Sequence, residues 1–340
     1  MAMPAQITRR AVLGSAAAAL SMTPAWAQEA AFASAAAYSA ARRGVALVVM
    51  RGDAIVFEDY PNRGGPDRDW ELASGTKSFT GIIAAAAVQD RLLRLDERAA
   101  ETLAEWRNDP RKSRVTIRQL LSLDSGVAPG GIGRAPPYAD AVALPAVAEP
   151  GARFSYGPGP FQIFGEIMRR KLVAARLDGD PLAYLRRRVL DPIGAAPTGW
   201  RRGPDQMPLL PQGAQFTARA WARFGRWVLR GGDGRVDAAA LAANFAPSGA
   251  NPGYGMSWWL LRPGLITPGP RQIMTIAPEG YAALGDVRMA AGAGDQRLYL
   301  MPERDLVVAR QAPVTLRDLG GRRAGLPWDD AAFLRLLLGA

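Results

Sequence analysis

Ser74 and Lys77 stand three positions apart in the segment ELASGTKSFTG, residues 71–81. Lys77 is one of only three lysines among the 42 basic residues of this 340-residue chain, the others being Lys112 and Lys171. A lysine differs from an arginine in that it can lose its proton when it is buried. On a helix, positions i and i+3 lie on one face, so the Ser74 hydroxyl and the Lys77 amine can come within hydrogen-bonding reach. The pair can therefore act as a nucleophile with its own base.

The same pair has a structural alternative, in which Ser74 caps a helix and Lys77 is a solvated residue of its first turn. The catalytic interpretation requires Lys77 to be buried under apolar helices, because burial can lower a lysine pKa by roughly 3 to 5 units. It also requires Ser74 to lie where the extended segment 70–73 meets a helix N-terminus, whose free N–H groups suit an oxyanion. The Ser-x-x-Lys spacing alone leaves both interpretations open.

The composition limits the chemistry that an active site could use. The chain contains no histidine and no cysteine, which excludes Ser-His-Asp and Cys-His catalysis, imidazole or thiolate metal sites and disulfides. An enzyme of this composition must work with Ser, Thr, Tyr, Lys, Asp or Glu, and we expect it to need no metal and no cofactor. With 49% hydrophobic residues, the chain can bury a large core. The net charge of +11 does not predict a nucleic-acid partner, because acids are interspersed among the arginines and no basic run carries interleaved aromatic residues.

The first 27 residues have the pattern of an export signal. Arg9 and Arg10 precede a modest apolar stretch, and Ala25-Trp26-Ala27 forms a small-x-small cleavage site. The alternative is an amphipathic or membrane-anchoring helix, but the apolar stretch is too short to span a bilayer and a proline ends it. We expect residues 1–27 to be a twin-arginine signal, residues 28–340 to form one periplasmic or secreted domain, and no stable membrane span.

The hydrophobic patterns predict the elements that must position the site. Two apolar runs around Arg51-Gly52-Asp53 predict a hairpin over 44–60, and strands with turns are predicted again over 286–310, followed by a helix from about Trp328. Gly, Pro and Ala dominate 127–153, which predicts a long surface loop. Helices are predicted over 81–96, 115–126, 161–177, 181–194 and 217–232. This order predicts an α/β (α+β) fold, with an antiparallel sheet built from both termini, flanking helices and an inserted, mostly helical region.

Four segments in sequence order resemble one superfamily, that of the serine β-lactamases and penicillin-binding proteins. They are ELASGTKSFTG, VTIRQLLSLDSGV, EPGARFSYGPGPFQIFGEIM and AAGAGDQRLYLMPERDLVVAR. Within this superfamily the sequence is most similar to the class C-like serine hydrolases, in particular to the esterases and the 6-aminohexanoate-dimer hydrolases. The resemblance covers residues 40–315. It implies a β-lactamase-like fold and hydrolysis through an acyl-enzyme without a cofactor.

The resemblance implies a role for each matching residue. It makes Ser74 the nucleophile, Lys77 its base and Tyr156 the tyrosine of the Tyr-x-Asn motif, which shares proton transfer with the lysine. Without the resemblance, Tyr156 would be interpreted as a buried aromatic residue with a satisfied hydroxyl. The segment Gly292-Ala293-Gly294 resembles part of a Gly-x-Gly-Gly-Gln motif, which implies that the Ala293 N–H joins the Ser74 N–H in an oxyanion hole. The alternative is that the two glycines, Gly292 and Gly294, mark a bulge or turn.

Two departures from the superfamily bear on the substrate. Pro158 replaces the asparagine of Tyr-x-Asn and has no amide to offer. The lysine of the Lys-Thr-Gly motif, which holds a substrate carboxylate, is also absent, with Arg288 or Arg297 as candidate replacements. We therefore expect a small-molecule ester or amide as substrate, in a pocket built by loop 127–153 and by aromatic residues such as Trp258 and Trp259. The alternatives are a β-lactamase or D-amino-acid peptidase, and a non-catalytic protein that binds a cell-wall ligand.

Overall fold

The computed structural model describes residues 25–261, 284–315 and 326–340. Arg9 and Arg10 of the predicted export signal lie outside these ranges. The first described element is helix α1, Ala25–Ala41, so the predicted cleavage site falls in its first turn, where Trp26 is 75% exposed. Within the described ranges, no helix is both long enough and apolar enough to cross a membrane.

One antiparallel sheet of six strands forms the centre of the fold. The predicted hairpin is confirmed as β1, Ala46–Arg51, and β2, Ala54–Asp59. The other four strands are β6, Trp259–Leu260, β7, Arg288–Gly292, β8, Gln296–Met301, and β9, Leu306–Gln311. The strand order is β2-β1-β9-β8-β7-β6, so β1 pairs directly with β9. Both ends of the chain contribute to one sheet, as the sequence predicts.

A mostly helical region is inserted between β2 and β6. Its α-helices are α2, Ser78–Gln89; α3, Ile117–Leu121; α4, Tyr138–Ala143; α5, Gly159–Ala174; α6, Pro181–Leu185; α7, Ala218–Leu229; and α8, Ala238–Ala243. A small second sheet, ordered β3-β5-β4, consists of β3, Asp69–Glu71, β4, Gly199–Trp200, and β5, Ala214–Thr217. The last helix is α9, Asp330–Leu338.

Helices cover both faces of the six-stranded sheet. Helix α7 packs on one face, and the approach is so close that a Cβ atom at Gly225 would lie 2.9 Å from side-chain carbons of Leu298 and Val307. On the other face, the side chains of Arg297 and Tyr299 reach Asp330 at the start of α9. Alternate residues of β8 therefore point to opposite layers, as the pleat of a strand requires.

Local chemistry explains where several elements begin and end. The predicted capping box at α3 is confirmed, because the Gln119 N–H donates to Thr116 Oγ1 at 3.2 Å and the Thr116 N–H donates to Gln119 Oε1 at 3.0 Å. The prediction of a helix to residue 96 is wrong, since α2 ends at Gln89 and Arg91 has a φ of +59°. The predicted loop 127–153 contains the short helix α4. Hydrophobic periodicity alone does not identify the secondary structure of an apolar segment as short as this one.

Candidate active site

Ser74 lies in a tight turn that connects β3 to α2. The turn is a 3₁₀ helix over Ala73–Lys77 and continues directly into α2. Ala73 has a φ of +46°, an uncommon conformation for a residue with a Cβ atom. Thr76 holds it in place, because its hydroxyl donates to the Ala73 carbonyl at 2.7 Å and accepts from the Ala214 N–H at 3.2 Å. The predicted junction of an extended segment and a helix start is therefore present, with a strained residue immediately before Ser74.

The Ser74 hydroxyl and the Lys77 amine are in direct contact. Lys77 Nζ lies 2.9 Å from Ser74 Oγ and 2.9 Å from the Pro211 carbonyl oxygen, to which it donates. A neutral amine has two N–H groups and one lone pair, so it can donate to Pro211 and still accept the Ser74 proton. The alternative of a solvated lysine in the first turn does not fit, because Lys77 is only 4% exposed.

Burial changes the protonation of Lys77. Desolvation of the charged form lowers the Lys77 pKa from its ordinary value of 10.5 to about 7. The described residues provide no carboxylate in an ion pair with its amine; its polar partners are the hydroxyl of Ser74 and the carbonyl of Pro211. A substantial fraction of the Lys77 side chains is thus an uncharged amine near neutral pH, as a general base requires.

Tyr156 is the third polar side chain at this point. Lys77 Nζ lies 4.8 Å from the centre of its ring, and its hydroxyl is near enough to Ser74 for the serine to lower its pKa. Burial raises the pKa of Tyr156 to about 12, against smaller lowering effects of Ser74 and of the charge on Arg297. Tyr156 therefore keeps its proton at neutral pH. This arrangement makes Lys77 the group that can accept a proton and Tyr156 a group that can pass one on.

Aromatic side chains surround Tyr156. Its ring stacks on Trp259 with 5.6 Å between centroids, and Trp259 in turn contacts Tyr254 edge to face at 4.8 Å. The expectation that Trp259 lies beside the site is met. Trp258 points elsewhere, because it is fully buried and packs against Phe245 with ring centroids 5.4 Å apart. The site thus has one largely apolar wall.

The end of β7 packs against the backbone of Ser74. A Cβ atom at Gly292 would lie 2.1 Å from the Leu72 carbonyl oxygen and 3.1 Å from the Ser74 nitrogen, so only glycine permits this approach. A 3₁₀ turn over Ala293–Asp295 follows, in which Gly294 has a φ of +72°. Gly292 therefore allows a close contact and Gly294 makes a turn. Ala293 lies between them, next in sequence to the residue that touches Ser74.

Loop 127–153 packs against Pro158, which follows Tyr156 by two residues. Pro158 precedes the first residue of α5, and the Gly159 N–H donates to the Pro129 carbonyl at 2.8 Å. Further along the loop, Ile132 is 56% exposed and the Gly133 carbonyl accepts from Gln212 Nε2 at 3.3 Å. Gln212 follows Pro211, which is the acceptor for Lys77. The loop therefore lies beside the segment that binds Lys77. No sequence pattern identified Pro211 as a partner of the lysine.

The two arginines considered as replacements for a carboxylate-binding lysine are engaged elsewhere. Arg288 pairs with Asp286 at 2.9 Å and lies over the ring of Phe245. Arg297 is 2% exposed and pairs with Asp330 at 2.7 Å on the side of the sheet that faces α9. Each of these two candidates therefore has a carboxylate partner of its own, and the Arg297 side chain is buried toward α9.

The sheet assembled from both ends of the chain, the helical insertion and the serine-lysine contact at the start of a buried helix define a protein with a β-lactamase-like fold. The Beta-lactamase family profile matches residues 28–312. The chain therefore belongs to the β-lactamase family, a family of hydrolases. The resemblance and the fold class predicted from the sequence are confirmed.

Solved structures with the same fold are described with different activities. A protein described as a β-lactamase from Bacteroides dorei DSM 17855 is 20% identical, with a TM-score of 0.64 over 85% of this chain and 90% of that chain. A protein described as a 6-aminohexanoate-dimer hydrolase from Bacillus anthracis is 19% identical, with a TM-score of 0.60 over 83% and 77%. EstCE1, a hydrolase with promiscuous acyltransferase activity, is 15% identical, with a TM-score of 0.63 over 87% and 97%. No curated protein gives a significant sequence match.

Proposed function

We propose that the protein hydrolyses an ester or amide bond of a small molecule through an acyl-enzyme formed on Ser74. The observation that carries this proposal is the buried Lys77 amine, which lies 2.9 Å from Ser74 Oγ and has a pKa of about 7. A serine hydroxyl is a weak nucleophile unless an adjacent base takes its proton. Membership of the β-lactamase family supports the same chemistry.

In the proposed reaction, Ser74 Oγ attacks the substrate carbonyl carbon while its proton passes to Lys77 Nζ, directly or through the Tyr156 hydroxyl. The backbone N–H groups of Ser74 and Ala293 donate to the oxygen that gains negative charge. The tetrahedral intermediate then expels the leaving group, which takes the proton back from the Lys77–Tyr156 pair. A water molecule attacks the acyl-enzyme in the same way and returns the Ser74 hydroxyl.

The surroundings of Ser74 favour an uncharged substrate. The wall beside the hydroxyl consists of Tyr156 and Trp259, and Pro158 replaces a side-chain amide. Arg288 and Arg297 are paired with Asp286 and Asp330 and are not available for a substrate carboxylate. We infer that simple esters react faster than β-lactams or D-amino-acid peptides, whose carboxylate needs a cationic partner.

A substrate panel with an active-site label tests this proposal. We expect a fluorophosphonate to label the wild type and the variant Ser34→Ala, which removes an exposed serine of α1, but not Ser74→Ala. We also expect short-chain 4-nitrophenyl esters to have a higher kcat/KM than a chromogenic cephalosporin. The opposite ranking would indicate a β-lactamase. Absence of both labelling and turnover would indicate a binding protein that retains the fold.

A further inference from the structure

We propose that Arg297 is a positioning residue for the oxyanion hole. It binds the carbonyl of the peptide between Gly292 and Ala293 and so makes the Ala293 N–H a stronger hydrogen-bond donor. The inference rests on the proposed function, because it concerns the backbone N–H of Ala293 as an oxyanion donor. It assigns to a buried arginine of β8 an effect on catalysis without contact to the substrate.

Arg297 binds the backbone at the end of β7. Its NH1 group donates to the Gly292 carbonyl at 3.4 Å and to the Gln296 carbonyl at 3.0 Å. Its other nitrogens bind Asp330, with Nε at 2.7 Å from Oδ1 and NH2 at 3.2 Å from Oδ2. With the side chain 3% exposed, water does not compete for these bonds.

The direction of the peptide group connects this arrangement to Ser74. In a trans peptide the carbonyl and the N–H point in opposite directions. Because the Gly292 carbonyl points toward Arg297, the Ala293 N–H points away from Arg297. The Ser74 nitrogen also lies away from the Arg297 side chain: Arg297 pairs with Ala291 and shares its face of the sheet, whereas the Cβ direction of Gly292, which meets Ser74, is on the other face. A positive charge that draws electron density toward the carbonyl oxygen makes the N–H of the same peptide a stronger donor, and few solvent dipoles screen it there.

The guanidinium is itself held rigidly by the last helix. Asp330 begins α9 and also accepts from Trp328 Nε1 at 3.0 Å and from the Tyr299 hydroxyl. Burial would raise the Asp330 pKa, but Arg297 and these donors hold it below its usual value, so the pair is charged on both sides. The Arg297 charge also lowers the pKa of Tyr156 against the larger effect of burial.

Removal of both charges together tests the proposal. In Arg297→Gln/Asp330→Asn the amide side chains can keep hydrogen bonds while no buried charge is left without a partner. The matched control is Glu97→Gln/Lys171→Gln, which removes another ion pair of 2.7 Å with little exposure, between α5 and the segment before α3. If the first variant does not fold, Arg297→Lys replaces it, since lysine can still pair with Asp330 but is too short to reach the Gly292 carbonyl as well.

The readouts are kcat, KM and the infrared stretch of the acyl carbonyl. We expect kcat for a 4-nitrophenyl ester to fall by about 10-fold to 100-fold with KM within about 3-fold, a part of the loss seen when an oxyanion donor is removed. We also expect the isotope-labelled acyl-enzyme carbonyl to absorb at higher frequency. The control should keep the kcat and the frequency of the wild type.

The outcomes separate this inference from the proposed function. If the wild type forms no acyl-enzyme, the proposed function fails. If the wild type forms one, and the folded Arg297 variant has the wild-type kcat and carbonyl frequency, Arg297 is purely structural and the inference is overturned. A loss of kcat without any change of frequency would also overturn it, because polarisation requires both.

Discussion

Burial gives Lys77 the protonation behaviour that the proposed general base needs. Its pKa of about 7 follows from desolvation, and no carboxylate in the described part of the chain forms an ion pair with its amine. We predict that the single-turnover rate of acylation by an activated ester rises with pH and levels off above about 7, as the amine loses its proton. The midpoint of the profile then reports the pKa of the Lys77 amine.

Substitutions of Lys77 give the control for this pH profile. We predict that Lys77→Arg is nearly as inactive as Lys77→Ala, because a guanidinium keeps its charge but cannot accept a proton at neutral pH. Acylation near the wild-type rate in the arginine variant would show that Lys77 supplies only charge.

Asp124 is a second buried group whose pKa is shifted by its surroundings. It is 6% exposed, its Oδ1 has no hydrogen-bond partner among the described residues, and burial raises its pKa from 3.8 to about 6. The folded state therefore holds this proton more firmly than the unfolded state, and the resulting stability is lost as pH rises from about 4 to about 6. A shift of this size corresponds to about 3 kcal/mol at most.

We predict that Asp124→Asn, which imitates the protonated form, raises the free energy of unfolding at pH 8 by about 1 to 3 kcal/mol and changes little at pH 3.5. Urea denaturation at both pH values measures this. The control Asp96→Asn should act in the opposite direction at pH 8, because Arg118 holds the pKa of that exposed carboxyl below its usual value. Equal stability of wild type and Asp124→Asn at pH 8 would refute the prediction.

The element scale is where the sequence was most informative. Two apolar runs around Arg51-Gly52-Asp53 predicted the β1–β2 hairpin, and Thr116 with Gln119 predicted the start of α3. Both signals come from residues that are close together in sequence, so they can be recognised without knowledge of the fold. The end of α2 was not predictable, because it depends on the backbone conformation that follows it. The Pro211 partner of Lys77 was not predictable, because the two residues are 134 positions apart in sequence.

The junction of β7 with the Ser74 turn gives a prediction for the elements. In Gly292→Ala the new methyl group would lie 2.1 Å from the Leu72 carbonyl, so strand and turn must move apart. We predict a loss of kcat/KM of about 100-fold or more together with a lower Tm. The control Gly249→Ala meets no atom within 4 Å and should behave as wild type. If Gly292→Ala retains full activity, this contact does not position the oxyanion hole.

At the scale of the whole molecule, the sheet explains why residues far apart in sequence share one site. Ser74 follows β3, Tyr156 precedes α5 and Ala293 follows β7. The fold nevertheless brings Ser74 near Tyr156 and packs the residue before Ala293 against the Ser74 backbone. The sequence could identify these residues because the resemblance supplied their pairing. It could not decide the role of Arg297, since the direction of a strand side chain depends on which layer packs against it.

Export is a further proposal for the whole molecule, which rests on Arg9 and Arg10 and on the small-x-small site at residues 25–27. A twin-arginine signal implies that the protein crosses the membrane in its folded state. We predict that Arg9→Lys/Arg10→Lys leaves the precursor in the cytoplasm of a bacterial host, as measured by cell fractionation. Periplasmic maturation at the wild-type rate would mean that another type of signal acts.

Mass spectrometry of a rapidly quenched reaction tests whether Ser74 is the residue that becomes acylated. We predict that acid quenching during hydrolysis of a 4-nitrophenyl ester traps one acyl group on the peptide that contains Ser74, and that Ser74→Ala shows neither adduct nor turnover. Turnover that persists in Ser74→Ala, or an adduct on any other residue, would show that Ser74 is not the nucleophile.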